Sequence, residues 1–247
     1  MIVGPVLVTG AAGLVGGMVV AGLRDRFDLR LTDLRPGAGI VTGDLVDPAF
    51  AASVMDGAGA VVHLAANPDP EVPWAGLRGP NADATVAVLD AARDCGTPIV
   101  VLASSLHAVG GHVDAGRAGI GADLPPYPCC AYGAVKVLGE TLGRVYADRH
   151  GLSVRCLRLG GVHHVPMARS WLGGWLSPGD LVRLVTAALT ADVRYGVYHG
   201  TSANSAALFN IDGSRTELGY EPADDAATHA ATTPEDTFED PRLMHRY

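Results

Sequence analysis

VLVTGAAGLVG, residues 6–16, is an apolar run that passes into three glycines with the spacing Gly-x-x-Gly-x-x-Gly. The pattern predicts a buried strand, a tight turn and the first turn of a helix, an arrangement that points backbone N–H groups at a phosphate. Gly10 permits the turn, Gly13 lets the backbone approach a pyrophosphate, and Gly16 lets the helix pack close to the strand. The stretch therefore indicates a dinucleotide-binding site.

An acid at the end of the next predicted strand strengthens this interpretation. Asp33 closes the strand predicted at residues 28–33, where a dinucleotide-binding βαβ unit needs a carboxylate for the adenosine ribose hydroxyls. The same carboxylate repels a 2′-phosphate, so NAD is the expected cofactor and NADP the second choice. Arg35, two residues further on, offers a positive charge that would soften this preference. The glycines alone also fit an ordinary strand-to-helix turn, because glycine accounts for 32 of the 247 residues.

Apolar runs alternate with amphipathic segments along the following part of the chain. We predict strands at residues 40–42, 60–66, 99–103 and 153–159, and helices at residues 47–55, 81–94 and 131–150. Strands that alternate with helices predict an α/β fold, here a Rossmann-type doubly wound parallel sheet. The segments at residues 67–80 and 106–128 are predicted loops at the carboxyl edge of the sheet, where such sheets bind ligands.

The chain is predicted to form one compact unit, because its length suits a single large α/β core. Residues 1–160 form the dinucleotide-binding part, and residues 161–247 form a small C-terminal substrate-binding appendage packed on it. In the appendage, Ser177-Pro178-Gly179-Asp180 has the cap, the proline and the acid of a helix start. A short strand near residues 196–199 and a helix near residues 214–218 follow.

Tyr132 and Lys136 lie four residues apart in a predicted helix and therefore share one face. A tyrosine hydroxyl has a pKa of about 10, and a nearby positive charge favours its ionised form, so the pair is a candidate proton acceptor. On this pattern alone, an amphipathic helix without a catalytic role is the alternative. Ser105 follows a buried strand at the same sheet edge, and its hydroxyl can bind a substrate oxygen. We predict Ser105, Tyr132 and Lys136 as the catalytic residues.

Asn81 opens the helix predicted at residues 81–94, and two interpretations of it stay open. It is either a helix cap or a residue that supports the site through hydrogen bonds. The sequence does not separate the two.

The combination and order of these motifs resemble the extended short-chain dehydrogenase/reductases up to about residue 160. The matching motifs are the glycine loop, Asp33, Gly43-Asp44-Leu45, His63-Leu64-Ala65-Ala66, Asn81, Ser104-Ser105, Tyr132-x-x-x-Lys136 and Arg158-Leu159-Gly160. Within that family the chain is similar to the uronate dehydrogenases, NAD-dependent enzymes that oxidise hexuronates at the anomeric carbon. That similarity rests on Ser104-Ser105-x-His107, Trp175-x-Ser177-x-x-Asp180, Thr201-Ser202-Ala203-Asn204 and a short C-terminal module.

The resemblance implies two sets of ligand-binding residues. The cofactor set comprises Gly10, Ala12, Gly13, Leu14, Val15, Asp33, Leu34, Asp44, Leu45, Leu64, Ala65, Ala66, Asn81, Tyr132, Lys136 and Leu159. The substrate set comprises Asn67, Ser105, Leu106, His107, Tyr132, Gly161, Arg169 and Phe238. Arg169 corresponds to the arginine that holds the substrate carboxylate in the family. This chain departs from the uronate dehydrogenases at two positions. Those enzymes typically have Asn at the position of Leu106 and Ser at the position of Gly161.

These features predict an NAD-dependent oxidoreductase that moves hydride between nicotinamide and a hydroxyl or carbonyl carbon of a polar ring, a sugar or sugar acid. Tyr132 is the acid/base, Lys136 tunes it and orients the ribose, and Ser105 aligns the reacting oxygen. The alternative is a ketoreductase that tailors a secondary metabolite or a nucleoside-like ketone with the same machinery. A non-catalytic dinucleotide sensor is disfavoured, because it has no reason to keep all three residues.

The composition limits the partners. A net charge of −8 argues against nucleic acid. Residues 2–23 carry no charge, but their six glycines and Pro5 argue against a membrane span or a signal segment, so we expect a cytoplasmic protein with no membrane partner. A small-molecule substrate is expected, and a homo-oligomer is left open.

No metal site is predicted from the sequence. Cys95, Cys129, Cys130 and Cys156 lack a metal-ligand spacing and are expected to be reduced, mostly packed thiols. The adjacent pair His163-His164 points to opposite faces of an extended backbone, with no cysteine or carboxylate cluster nearby in sequence.

Overall fold

A computed structural model describes residues 2–236, which fold around a seven-stranded sheet. The strands are β1 (Val6–Thr9), β2 (Leu29–Asp33), β3 (Ile40–Thr42), β4 (Ala60–His63), β5 (Ile99–Ser105), β6 (Ser153–Leu159), β7 (Gly161–Val162), β8 (Trp175–Leu176) and β9 (Tyr195–Gly200). Seven of them pair in the order β3-β2-β1-β4-β5-β6-β9, and β7 pairs with β8. All pairs in the large sheet are parallel. The predicted Rossmann-type doubly wound α/β fold is confirmed.

Helices cover both faces of the sheet. They are α1 (Leu14–Leu23), α2 (Pro48–Met55), α3 (Trp74–Leu77), α4 (Ala84–Asp94), α5 (Gly110–Asp114), α6 (Ala131–His150), α7 (Pro178–Thr190) and α8 (Asp212–Leu218). Successive residues of a strand face opposite sides, so Leu7 joins the apolar cluster under α2, α4 and α6, while Val8 joins the cluster under α1 and α7. Among the described residues, none of the helices has both the length and the apolar character needed to cross a membrane.

Several predicted boundaries are confirmed, and others differ. Strand β5 continues to Ser105 rather than ending at residue 103, and the segments predicted as loops at residues 67–80 and 106–128 contain the short helices α3 and α5. The helix at residues 131–150 and the strand at residues 153–159 have the predicted bounds. Strand β4 ends at His63 rather than at residue 66. The helix predicted at residues 81–94 is composite, because a π-helical turn, Arg78–Asp83, precedes α4. A π-helical turn widens the backbone and is frequent at functional sites.

The segment after residue 160 contributes to the main sheet. Strand β9 pairs in parallel with β6, so that Val154 lies opposite Tyr195 and Leu159 opposite Gly200. Helix α7 starts as predicted, with the Asp180 N–H donating to the Ser177 hydroxyl at 2.9 Å. The sheet therefore extends past the predicted boundary at residue 160, and the substrate-binding role of the later segment stays a prediction.

A buried ion pair joins α6 to β5 and β6. The Arg158 guanidinium donates to both carboxylate oxygens of Glu140 at 2.8 Å, and the two side chains are 2% and 5% exposed. The Ser104 hydroxyl donates to the same carboxylate at 2.5 Å. This network fixes the position of α6 over the carboxyl ends of the two strands.

We expect Glu140→Gln to lower the free energy of unfolding by about 3–5 kcal/mol, because it leaves the Arg158 charge buried without its partner. Urea denaturation followed by circular dichroism measures the change. The matched control is Asp148→Asn on the same helix, which removes the exposed ion pair with Arg144 and should cost less than about 1 kcal/mol. Equal losses in the two variants would contradict the structural role of the buried pair.

Candidate active site

The glycine loop after β1 is shaped by close backbone contacts. Gly10 has a φ of +68°, and a Cβ there would lie 2.7 Å from the backbone nitrogen of Ala65. A Cβ at Gly16 would collide with the Gly10 carbonyl oxygen. Helix α1 begins directly after Gly13, and no side chain caps its N-terminus. The first-turn N–H groups of α1 are therefore available to a phosphate, which fits a dinucleotide.

Asp33 is fixed beside this loop. Its carboxylate accepts hydrogen bonds from the backbone N–H groups of Ala12 and Arg35, both at 2.9 Å. The residue is 8% exposed. Leu14 and Leu34, also predicted to bind the cofactor, are exposed apolar side chains at 57% and 63%. A fixed carboxylate flanked by apolar surface fits the adenosine half of NAD.

A buried histidine supports the next loop. The Thr9 hydroxyl accepts from the N–H groups of Leu64 and Ala65 at 3.1 and 3.2 Å and donates to His63 Nδ1 at 2.8 Å. Burial, and then the charge of Lys136, lowers the pKa of His63 to about 3. The imidazole is therefore neutral at pH 7, and it fixes the backbone that follows β4.

Asn81 holds the loop at Asn67 and does not cap a helix. Its side-chain oxygen accepts from the Asn67 N–H, and its side-chain nitrogen donates to the Asn67 carbonyl, both at 2.9 Å. The N-cap position of α4 is Asp83, which makes no side-chain cap hydrogen bond. The capping interpretation is therefore wrong, and Asn81 positions a residue that we predict to contact substrate.

Ser105, Tyr132 and Lys136 meet at the carboxyl edge of the sheet. Ser105 ends β5, and its hydroxyl lies close enough to Tyr132 to favour ionisation of the phenol. Lys136 lies one turn further along α6, with its Nζ 5.4 Å from the centre of the Tyr132 ring and 2.9 Å from the Ala103 carbonyl oxygen. Two neighbouring elements thus bring together the three predicted catalytic side chains.

Burial dominates the electrostatics of this group. It raises the pKa of Tyr132 to about 12, although the neighbouring Ser105 hydroxyl acts in the opposite direction. Burial lowers the pKa of Lys136 to about 8, while the nearby Glu140 carboxylate acts to raise it. Lys136 is therefore mostly an ammonium at pH 7, and burial keeps the Tyr132 phenol neutral at that pH.

Other predicted cofactor residues lie around the same edge. Asp44 is exposed just after β3, and its carboxylate accepts from the Val46 N–H at 2.9 Å. Ala66 follows β4 and Leu159 ends β6. Leu45 is 6% exposed and packs into the core, so its side chain does not face the edge.

Leu106 departs from its predicted role as a substrate contact. Its side chain is 1% exposed and packs with Val109, Ile120 and Phe209 in an apolar cluster. The prediction placed it at the surface of the cleft, but its apolar side chain is more stable under the adjoining loops. His107, the next residue, is only partly buried, and its ring contacts the Tyr132 ring edge-to-face at 5.6 Å.

The remaining predicted substrate residues follow β6. A Cβ at Gly161 would overlap the Trp171 ring, so the serine of uronate dehydrogenases would fit only if that ring moved. Arg169 is paired with Glu235, with Nε and Oε1 2.6 Å apart, and the side chains are 47% and 79% exposed. Phe238 lies outside the described residues.

The sequence did not single out two features of this edge. Cys130 caps α6, and its sulfur accepts from the Gly133 N–H at 3.4 Å. Hydrogen bonds from Cys129 and then from His107 lower its pKa to about 4. Glu140 continues the four-residue spacing of Tyr132 and Lys136, a signal that could have identified it.

Comparisons with known proteins agree with this geometry. A family model described as the NAD dependent epimerase/dehydratase family matches residues 6–163. An NAD-dependent glucose-6-phosphate dehydrogenase from Haloferax volcanii is 36% identical, over 90% of this chain and 94% of its own length. A uronate dehydrogenase from Pseudomonas putida is 31% identical, over 97% of this chain and 92% of its own length.

A solved structure gives the same fold. The crystal structure of a variant of uronate dehydrogenase from Agrobacterium tumefaciens, complexed with NAD, matches with a TM-score of 0.86 at 30% identity, over 96% of this chain and 92% of that one. These matches confirm the resemblance inferred from the motifs. The chain belongs to the NAD dependent epimerase/dehydratase family.

Proposed function

We propose that this protein is an NAD-dependent dehydrogenase that removes hydride from a hydroxyl-bearing carbon of a sugar or sugar acid. The observation that carries the proposal is the meeting of Ser105, Tyr132 and Lys136 beside a glycine loop that fits a dinucleotide. A non-catalytic dinucleotide sensor does not need the buried hydroxyl groups of Ser105 and Tyr132 at this position. A dehydrogenase needs them to bind and deprotonate the hydroxyl group of its substrate.

Cofactor binding and catalysis use different parts of the same carboxyl edge, the first at the end of β1 and the second at the end of β5. The glycine loop and Asp33 would hold the pyrophosphate and adenosine portions of NAD, and Lys136 would hydrogen-bond the nicotinamide ribose. When bound, NAD⁺ supplies the hydride acceptor. Ser105 donates a hydrogen bond to the reacting oxygen, and Tyr132 Oη receives the proton of the substrate hydroxyl.

Proton transfer sets a pH dependence. Tyr132 must be a phenolate to accept the proton, and burial holds its pKa at about 12. Positive charge at the site, from the Lys136 ammonium and the oxidised cofactor, stabilises the phenolate against burial. Oxidation is therefore expected to speed up with rising pH until Lys136 loses its proton near pH 8.

The two relatives described above are named for charged sugars. Their names give glucose 6-phosphate and a uronate as substrates, and both molecules carry an anionic group on a sugar. We propose that the segment after residue 160 supplies the cation, and that Arg169 binds a substrate carboxylate with its planar guanidinium. Glu235 must leave Arg169 for this, at small cost because the pair is exposed.

We expect NAD⁺ to bind at least about tenfold more tightly than NADP⁺, because the fixed Asp33 carboxylate repels a 2′-phosphate. Fluorescence titrations of both cofactors measure the ratio. Asp33→Asn should bring the two dissociation constants together, and Asp25→Asn, at an exposed site after α1, should leave the ratio unchanged. Tighter binding of NADP⁺ by the unmodified protein would contradict the role of Asp33.

We expect Tyr132→Phe to lower kcat by about 10²–10⁴-fold while the NAD⁺ dissociation constant stays the same, because only the proton acceptor is lost. The assay follows NADH formation with galacturonate, glucuronate, glucose and glucose 6-phosphate. Tyr127→Phe is the control, since that ring is 53% exposed. If the unmodified protein oxidises none of these compounds but reduces cyclic ketones, the ketoreductase alternative is correct.

We expect Arg169→Ala to raise KM for a uronate by about 10–100-fold and to leave KM for glucose unchanged, because a charge-assisted hydrogen bond is lost. Glu235→Gln removes the competing carboxylate and should lower KM for the uronate. Arg149→Ala, an exposed arginine on α6, is the control. An unchanged uronate KM in Arg169→Ala would exclude Arg169 from carboxylate binding.

A further inference from the structure

Three soft ligand atoms converge at the start of α6. His107 lies in the turn that follows β5, and Cys129 and Cys130 immediately precede the helix. The His107 Nδ1 is 3.5 Å from the Cys129 sulfur and 3.4 Å from the Cys130 sulfur, and the two sulfurs are 3.9 Å apart. The three atoms therefore form a compact triangle, although 22 residues separate His107 from Cys129.

This triangle has the dimensions of one face of a tetrahedral zinc site. With Zn–S of about 2.3 Å and Zn–N of about 2.0–2.1 Å, tetrahedral angles place two sulfurs about 3.8 Å apart and sulfur and nitrogen about 3.6 Å apart. The observed separations of 3.9, 3.5 and 3.4 Å lie within 0.2 Å of those values. An ion can therefore be bound by all three atoms with almost no movement of the side chains.

We propose that His107, Cys129 and Cys130 form a three-ligand binding site for Zn²⁺ or a similar thiophilic divalent cation, with a fourth coordination position open. All three residues are partly exposed, so an ion can enter from solvent. In the bound state both sulfurs coordinate as thiolates, any proton still held by a thiol passes to solvent, and the imidazole coordinates through its Nδ1 lone pair. The Gly133 N–H, which donates to the Cys130 sulfur, stabilises the resulting thiolate.

The neighbours of the site indicate what the ion does to the proposed enzyme. The His107 ring contacts the Tyr132 ring, and the backbone N–H of His107 donates to the Ser105 hydroxyl at 3.2 Å. An ion held by His107 and the two thiolates therefore adds bulk beside the position where the substrate oxygen is expected, and it holds the His107 ring in place against Tyr132. Reversible inhibition by Zn²⁺ follows, and this consequence, unlike the binding itself, rests on the proposed dehydrogenase activity.

Cobalt spectroscopy tests the site without an activity assay. The untagged full chain, kept reduced with a phosphine, is titrated with Co²⁺. We expect a sulfur-to-cobalt charge-transfer band and the intense visible bands of tetrahedral cobalt, saturating at one ion per chain and removed by one equivalent of Zn²⁺. Absence of these bands, or octahedral spectra, would overturn the proposal.

Matched variants locate the ion. Cys129→Ser and Cys130→Ser should each reduce the intensity of the charge-transfer band. Each should also weaken Zn²⁺ binding at least about 100-fold, as measured by competition with a chromophoric chelator. Serine is a good N-cap, so Cys130→Ser keeps the start of α6. Cys95→Ser, at another partly exposed thiol, and His164→Asn should bind as the unmodified chain does. Equal affinity in all variants would show that the ion binds elsewhere.

An activity assay distinguishes failure of the proposed metal site from failure of the proposed dehydrogenase function. If Zn²⁺ binds in the spectroscopic titration and the protein oxidises no sugar, the metal site stands and the proposed function fails. If sugars are oxidised but cobalt gives no charge-transfer band, the metal site fails alone. Where both hold, one equivalent of Zn²⁺ should inhibit the unmodified enzyme and a chelator should restore it, whereas Cys129→Ser should resist inhibition.

Discussion

The ion pair between Glu140 and Arg158 is the constraint on which the site depends. Two charges removed from water are tolerated only when their geometry is good and their remaining hydrogen-bonding capacity is used. Here the contact between Arg158 and Glu140 is bidentate, and the Ser104 hydroxyl donates a third hydrogen bond to the carboxylate. The pair fixes both the height and the rotation of α6 above β5 and β6. Tyr132 and Lys136 depend on that placement to reach Ser105.

The same burial that gives the site its shape pushes its titratable groups toward their neutral forms. The pKa of Tyr132 rises, while the pKa values of Lys136 and His63 fall. For His63 the neutral form is useful, because the ring can then take part in a hydrogen-bond chain from Thr9 to Thr85. For Tyr132 the neutral form is the resting form, so the site depends on positive charge to create the base.

The sequence was most informative where local chemistry and tertiary structure agree. The glycine loop, the bounds of α6 and the start of α7 follow from turn chemistry and helical periodicity, which need no knowledge of distant residues. Pairing of β9 with β6 and burial of Leu106 are decided by residues far away in the chain. The grouping of His107 with Cys129 and Cys130 is likewise set by the fold, because spacing rules for metal ligands apply to short segments.

Helix α6 carries structural and chemical residues in one repeating pattern. Tyr132, Lys136 and Glu140 recur every fourth residue, with Cys130 at the cap. Each residue in an α-helix advances the side chain by about 100°. A single insertion or deletion between positions 132 and 140 would turn either the tyrosine or the glutamate away from its strand. Length variation among related proteins is therefore expected in the flanking loops, and the length of this segment should be invariant.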